Sequence, residues 1–364
     1  MILVTNKVKK EDYLKDERLS QAGLLYQEKL SEFLKPELEI ALVPSFVPWR
    51  YNNTSEEGCE YVNVIATSGH ISRVLRYISD SMKAFSLLKR STSRRLVVYN
   101  LDVHNLLFVF LSCFFSSKRI YLIVADYILH KNIILRSLFD FLLAKVDGVI
   151  VLNDKIDVNS NSLLLPGLVR KSDVFKMTDL DSLNCAIFSG SIGRTTGIEL
   201  CLQTVSQMRD INLYISGKPY HYTDREFKSL KASFEQCPNI FYQGLMERNE
   251  YSKLLNKVSI AFSLRDPHDI EHDYNFPSKI LEYLASGKFV ISSKRYSFIP
   301  DGIIYYCDYT NESLSHCLRK ILDMSPSEIE FSRQKIYDFM LNNYSDVKLN
   351  ECINKLESKY EASA

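Results

Sequence analysis

The sequence predicts an α/β protein with two parallel-sheet layers in tandem, and three observations carry that expectation. Short runs of β-branched and aliphatic residues alternate with helical stretches. The run at 289–291 is apolar and largely β-branched, like a buried parallel strand. The chain has 364 residues, enough for two domains of ordinary size, and a polar, mixed-charge stretch at 171–183 interrupts the pattern near its middle.

Taken in order, strands are expected at 39–43 and 61–65, an amphipathic helix at 72–88, and strands at 95–99, 120–124 and 148–152 with helices between them. Residues 163–166 read as the last strand of this half. Beyond the linker, strands are expected at 185–188, 211–215, 240–242, 258–262 and 289–291, with a further one at 305–307. Residues 325–360 are charged and helical. The expected division is therefore 1–175, 176–325, and terminal helices at 326–364 that return toward the first domain.

Composition excludes several classes. Hydrophobic residues make up 46% and charged residues 24%, values of an ordinary globular protein, and the net charge of +1 argues against a polyanion partner such as nucleic acid. Eight scattered cysteines without a CxxC pair suggest reduced thiols and a cytoplasmic setting. The start, Met-Ile-Leu-Val-Thr-Asn, lacks the basic and long apolar regions of a secretory leader. The longest mostly apolar run, 106–115, is about half of the roughly 20 residues a spanning helix needs.

The most informative stretch is Asn275-Phe-Pro-Ser-Lys-Ile-Leu-Glu-Tyr-Leu-Ala-Ser-Gly-Lys-Phe-Val-Ile-Ser-Ser293. It reads as loop, helix, tight turn and strand. Pro277 suits a first helical turn. Ile280, Leu281, Leu284 and Ala285 recur at helical spacing, and Gly287 stands where a helix C-cap needs φ > 0. The N-terminus of that helix, with Ser278 and Lys279, is suited to a phosphate. Glu282, one turn in, is placed to accept from the two hydroxyls of a ribose. Together these features indicate a nucleotide-sugar pocket.

This segment resembles the donor-binding motif of the retaining glycosyltransferases of family four, bacterial surface-polysaccharide type, which have the GT-B fold. The resemblance implies two Rossmann-like domains facing across a cleft, the second holding a nucleotide-diphospho-sugar. In the family pattern two glutamates stand eight positions apart; Glu282 matches the second, and Tyr274 replaces the first. Phe188-Ser-Gly-Ser-Ile-Gly-Arg-Thr-Thr-Gly-Ile198 is similar to the family's glycine-rich loop, with Gly190 close to the phosphates. The usual two cations of that loop are Ser191 and Thr196 here, which leaves Arg194 as the substitute. Lys218, after the strand Leu213-Tyr-Ile-Ser-Gly-Lys218, and the base-framing loop with Gly244 and Leu245 complete the donor set. The resemblance is concentrated between Phe188 and Ser293, extends over 95–166, and fades before Ser72.

At the opposite site, His104 follows a strand end, and Asp126 stands where the family places a histidine against the donor sugar. Either could orient or deprotonate an acceptor hydroxyl. The run Arg265-Asp-Pro-His-Asp-Ile-Glu-His-Asp273 contains His268 and His272, but Pro267 interrupts it, and no metal and no cofactor are expected beyond the donor itself as substrate.

The implied activity is a hexosyltransferase-like glycosyltransferase that passes a sugar, with retention, to a glycan or lipid-linked acceptor in surface-polysaccharide assembly. Two alternatives stay open because Tyr274, Ser191 and Thr196 depart from the pattern: a non-catalytic activator or scaffold subunit of the same fold, and a nucleotide-sugar epimerase. Finally, residues 61–145 hold twelve cations against four anions. With Phe85, Leu87 and Leu88 interleaved, this stretch is expected to make peripheral contact with an anionic membrane at the inner face.

Overall fold

The computed structural model describes every residue except 13–14, 16–18, 20, 52–54, 57, 64–68, 126–132, 155, 157–160, 177–182, 270–277 and 364. The chain divides into two compact units, Met1–Leu168 with Asp346–Ala364, and Val169–Asp273 with Pro277–Ser345.

The first unit contains β1 (Ile2–Thr5), α1 (Gln21–Leu34), β2 (Leu38–Leu42), β3 (Ser55–Glu56), β4 (Cys59–Val62), α2 (His70–Arg90), β5 (Arg95–Tyr99), α3 (Leu106–Phe115), β6 (Arg119–Val124), α4 (Ile133–Lys145), β7 (Gly148–Val151) and β8 (Ser162–Leu164). The strands lie in the order β3-β4-β2-β1-β5-β6-β7-β8, all parallel except the short edge strand β3. The two-residue period of a strand explains the layering. Ile2, Val4, Leu96, Val98, Leu122 and Val124 point to one face, under α2, α3 and α4. Leu3, Val97, Tyr99, Tyr121 and Ile123 point to the other, under α1 and the last helix of the chain. β1, which is central in the sheet and fully buried, is not among the strands expected from the sequence, nor is α1 among the helices.

The second unit contains β9 (Cys185–Ser189), α5 (Ile198–Ser206), β10 (Asn212–Ser216), α6 (Asp224–Glu235), β11 (Ile240–Gly244), α7 (Arg248–Lys257), β12 (Ile260–Ser263), α8 (Ser278–Ala285), β13 (Phe289–Ser292), β14 (Tyr305–Tyr306), α9 (Asn311–Leu322) and α10 (Pro326–Asn343). Its sheet is wholly parallel, in the order β11-β10-β9-β12-β13-β14. α8 buries Ile280, Leu281, Tyr283, Leu284 and Ala285 against β12, β13 and α10. It ends in a Schellman turn: the Gly287 N–H donates to Leu284 O at 2.9 Å and the Lys288 N–H to Tyr283 O at 3.0 Å. Gly287 has φ +71°, and a Cβ there would lie 2.7 Å from the Phe175 ring, so both conformation and space demand glycine.

The two terminal helices separate. α10 packs on α8 in the second unit, while α11 (Asp346–Ser363) packs on α1, β7 and β8 in the first. Among the described residues no helix is long and apolar enough to cross a membrane.

The basic stretch of the first unit is not one continuous surface. Arg76 is 0% exposed; its guanidinium pairs with Asp80 at 3.1 Å and donates to Val47 O at 2.6 Å. Phe85 and Leu88 are buried in the core and Leu87 packs against it, so they cannot be the apolar contacts of a membrane surface. The Lys118 ammonium donates to Ser91 O and Ser93 O, both at 2.6 Å. Lys131 lies outside the described residues.

Candidate functional site

In an open α/β sheet, ligands bind beyond the carboxyl ends of the strands, where the strand order reverses. In the second unit that point falls between β9 and β12: chain order runs from β9 outward to β10 and β11 on one side, and to β13 and β14 beyond β12 on the other. A cavity of about 200 Å³ opens there, lined by Phe188 to Ser191 at the end of β9 and just beyond it, by Phe262 to Arg265 at the end of β12 and just beyond it, and by Lys279 on α8. The floor is held close by glycine. Gly217, after β10, has φ +151°, and a Cβ on it would lie 1.8 Å from Gly190 O. The crossing is pinned by Gly190 N–H to Ser216 O at 3.0 Å and Ile192 N–H to Lys218 O at 2.9 Å.

Beside the cavity a connected polar network links three elements. The Lys279 ammonium donates to Glu282 Oε2 at 2.6 Å and to the Tyr251 hydroxyl at 3.4 Å, and lies 4.7 Å from the Tyr251 ring centroid. The Tyr251 hydroxyl also donates to Glu282 Oε2 at 3.3 Å. Ser189 Oγ lies 2.9 Å from the Tyr251 hydroxyl and 2.8 Å from that of Tyr283, which also accepts from the Ser189 N–H. Burial raises the pKa of Tyr251 and Tyr283, so both remain protonated donors. For Lys279, burial acts to lower the pKa, but Glu282 and the two tyrosines more than offset it and hold the ammonium above the usual lysine range. Both of these contacts use Oε2, and among the described residues Oε1 remains as an acceptor.

Arg265 is the second cation at the cavity. Its backbone is fixed on both sides: its N–H donates to Ser293 Oγ, and the Ser293 hydroxyl donates to its carbonyl, each at 2.7 Å. Among the described residues the guanidinium has one weak contact, from Nη1 to Leu264 O at 3.3 Å, which leaves most of its donors for an anion. Lys279 and Arg265 thus put two cations on a cavity with room for a phosphate group or two.

The structure brings together some of the expected residues and not others. Gly190 and Lys279 line the cavity, Glu282 is joined to Lys279, and Ser278 opens α8. Arg194 does not line it; that side chain pairs with Glu226 across the rim and lies 5.8 Å from the Tyr222 ring centroid. The cation at the cavity is Arg265 instead. Lys218 is exposed on the next loop, Gly244 receives Gly217 N–H at 2.8 Å, and Leu245 is 64% exposed. Thr196 is buried and caps its own loop through Gly193, which accounts for a neutral residue there. Asp126, Tyr274, Pro277 and His272 lie outside the described residues. Among the described residues no three His, Cys, Asp or Glu side chains gather as metal ligands would.

The first unit has its own reversal point, between β1 and β5. Here the Asn6 amide donates to Asp102 Oδ2 at 2.6 Å, and the His104 N–H donates to Asp102 Oδ1 at 2.7 Å. Asn105 closes the turn, receiving the Asp102 N–H and donating to Asn100 O at 2.6 Å; Asn100 itself has φ +57°. The His104 ring lies edge-on to Phe46, with Nδ1 3.3 Å from Ser45 Oγ. His104 is therefore held at the strand-end crevice by residues from three loops.

No protein-family model matches the sequence, and no curated protein matches it at the sequence level. Solved structures match along its whole length. Sucrose-phosphate synthase from Thermosynechococcus elongatus is 12% identical with a TM-score of 0.69, covering 100% of this chain and 99% of its own. Anabaena HepE, solved in complex with UDP and glucose, is 10% identical with a TM-score of 0.69, covering 98% and 99%. A glycosyltransferase from Rickettsia africae is 12% identical with a TM-score of 0.69, covering 99% and 97%. Identities this low speak for architecture alone, and the architecture is that of the GT-B fold: two Rossmann-like α/β units in one chain.

Proposed function

We propose that the protein is a glycosyltransferase using a nucleotide-diphospho-sugar donor. The observation that carries this is the cavity at the β9/β12 reversal point, with Arg265 and Lys279 on it and Glu282 joined to Lys279. Two cations and the start of α8 suit a diphosphate, and a carboxylate one turn further along suits ribose hydroxyls. That HepE, which has this fold, was solved with UDP and glucose supports the same class of ligand. In this reading Tyr251, Tyr283 and Ser189 hold Lys279 and Glu282 in register, and the loop after β11, with Gly244 and Leu245, borders the base.

Chemically, the bond between the anomeric carbon and the diphosphate oxygen breaks, and its electron pair leaves on the diphosphate. Arg265 and Lys279 stabilise that developing charge. The acceptor oxygen bonds to the anomeric carbon on the same face, and its proton passes to the leaving phosphate oxygen, which retains configuration. His104 in the first unit orients the acceptor, and Asp126 is assigned to the same task. The acceptor is inferred to be a glycan or lipid-linked glycan of surface-polysaccharide assembly, on the strength of the sequence resemblance. Eight free thiols support a reducing, cytoplasmic setting. No cofactor is invoked.

The test is thermal unfolding with UDP-, GDP- and CDP-linked sugars. A saturating donor raises the midpoint in the wild type, and the shift is lost in Lys279→Ala. Absence of a shift with every nucleotide sugar and nucleoside diphosphate sinks the reading. A scaffold role is the second reading, favoured by the neutral Ser191 and Thr196 of the glycine loop. Donor binding without turnover on any acceptor would select it, and conversion of donor without acceptor would select an epimerase.

A further inference from the structure

The helix α2 is inverted in its first half. Arg76, Asp80 and Ser81 face inward, while Ile71, Val74, Leu75, Ile78 and Met82 form an exposed stripe, Ile71 at 79% exposure. Only in its last turns does the usual arrangement return, with Ala84, Phe85 and Leu88 inside. An amphipathic helix of a water-soluble layer places its apolar residues the other way. The neighbouring helices expose apolar residues of their own. α2 packs beside α3 and α3 beside α4, and these present Phe114, Phe115, Ile133, Ile134 and Phe141 to solvent. Phe114 and Phe141 stack at 6.0 Å across the α3–α4 seam, so the patch is continuous there. So many exposed apolar side chains on the helices of one face mark an interaction site.

The charges on the same helices identify the occupant. Arg73, Lys83, Lys89, Arg90, Arg136 and Lys145 lie on α2 and α4 with part or all of their side chains in solvent, against one exposed acid, Asp140. The Lys145 ammonium lies 5.7 Å from the Phe141 ring centroid, next to the apolar patch. A second copy of the chain docking face to face would bring these cations together. A surface with an apolar interior and anionic headgroups complements both features at once.

We propose that the α2–α4 face docks peripherally on an anionic lipid surface, with the α2 stripe and the Ile133–Ile134 pair entering the headgroup boundary. This surface differs from the buried Phe85 and Leu88 expected from the sequence. It does not rest on the donor reading, because docking needs no nucleotide and is read without one.

The experiment is co-sedimentation of the full chain with phosphatidylglycerol vesicles and with phosphatidylcholine vesicles, in low and high salt. Binding to the anionic vesicles is expected to exceed binding to the neutral ones by about tenfold or more, and to weaken as salt rises. Ile71→Ser/Leu75→Ser/Ile78→Ser is expected to reduce vesicle partitioning by about tenfold or more while leaving the circular dichroism and the nucleotide-induced thermal shift unchanged. Ile133→Ser/Ile134→Ser, on the other helix, is expected to do the same to a smaller extent. Equal binding to both vesicle types, no binding to either, or full binding by both variants overturns the proposal. So does a wild-type dimer, seen by light scattering, that the α2 variant converts to a monomer without any vesicle binding.

Discussion

The two units have the same strand order around their reversal points, yet the crevices there are chemically opposite. In the second unit the crevice is basic, with Arg265 and Lys279 on a cavity between the ends of β9 and β12. In the first it is a web of neutral amides, a carboxylate and an imidazole: Asn6, Asn100, Asp102, His104 and Asn105. Topology sets where a ligand binds and says nothing about which ligand. A phosphate needs fixed positive charge and close backbone approach, whereas a sugar hydroxyl needs an acceptor and a proton carrier. The same contrast holds for buried cations. Arg76 in the first unit is matched by Asp80, whereas Lys288 in the second, 3% exposed, faces Arg333.

The sharpest way to break this contrast is to neutralise the basic crevice. Arg265→Ala with Lys279→Ala should lower nucleotide-sugar affinity at least a hundredfold, since each charged contact is worth about 1.5–3 kcal/mol. Calorimetric titration measures it, and an unchanged Kd would show that the donor binds elsewhere. Next in size is Lys288. Burial, then Arg333, lower its pKa to about 8 in the folded chain, below the ordinary lysine value of 10.5. The unfolded chain therefore holds more protons between those values, and stability rises with pH across that window. Lys288→Met should be more stable than the wild type by roughly 3 kcal/mol below pH 8. The difference should close toward pH 10.5, as chemical denaturation at a series of pH values would show.

Glu282→Ala alone should weaken donor binding about tenfold, and combining it with Lys279→Ala should cost less than the sum, because the two side chains are joined. Additive losses in that cycle would mean that the pair does not act as one element. The smallest effect on the donor is expected from the first unit. His104→Ala should leave nucleotide affinity within about twofold while reducing kcat/KM for transfer about tenfold or more. A large loss of donor affinity in that variant would erase the division of labour between the units.

How much of this was legible in the sequence follows from the range of each signal. The α8 segment was readable because its signals are local: Ser278, Lys279, Glu282 and Gly287 lie within three turns of chain. Ser189, Tyr251 and Tyr283 were not, because they meet only across separations of 62 and 94 residues. Arg265 was weighed only as part of a histidine-bearing loop, since nothing in its neighbourhood shows that β12 ends beside β9. β1 has four residues and no turn signal before it, so its Ile-Leu-Val-Thr run was considered only as a leader. Which parts of the basic segment reach the surface is not legible from a count along the chain, because such a count ignores helix faces. The spacing of Arg76 and Asp80, one turn apart, was the available hint that some of that charge is internal.

The return of α11 to the first unit has a consequence for how the molecule comes into being. One face of the first sheet, carrying Leu3, Val97, Tyr121 and Ile150, is covered in part by Leu349, Ile353 and Leu356. Arg95, at the start of β5, is tied to Glu357 at 2.6 Å. A ribosome delivers those covering residues some two hundred positions after β7. During synthesis, therefore, the earliest part of the protein waits with an apolar flank open while the whole second unit is made and folds. The first unit is the last to be finished, and a chain stopped at residue 345 should complete its second unit yet leave the first one sticky and short-lived.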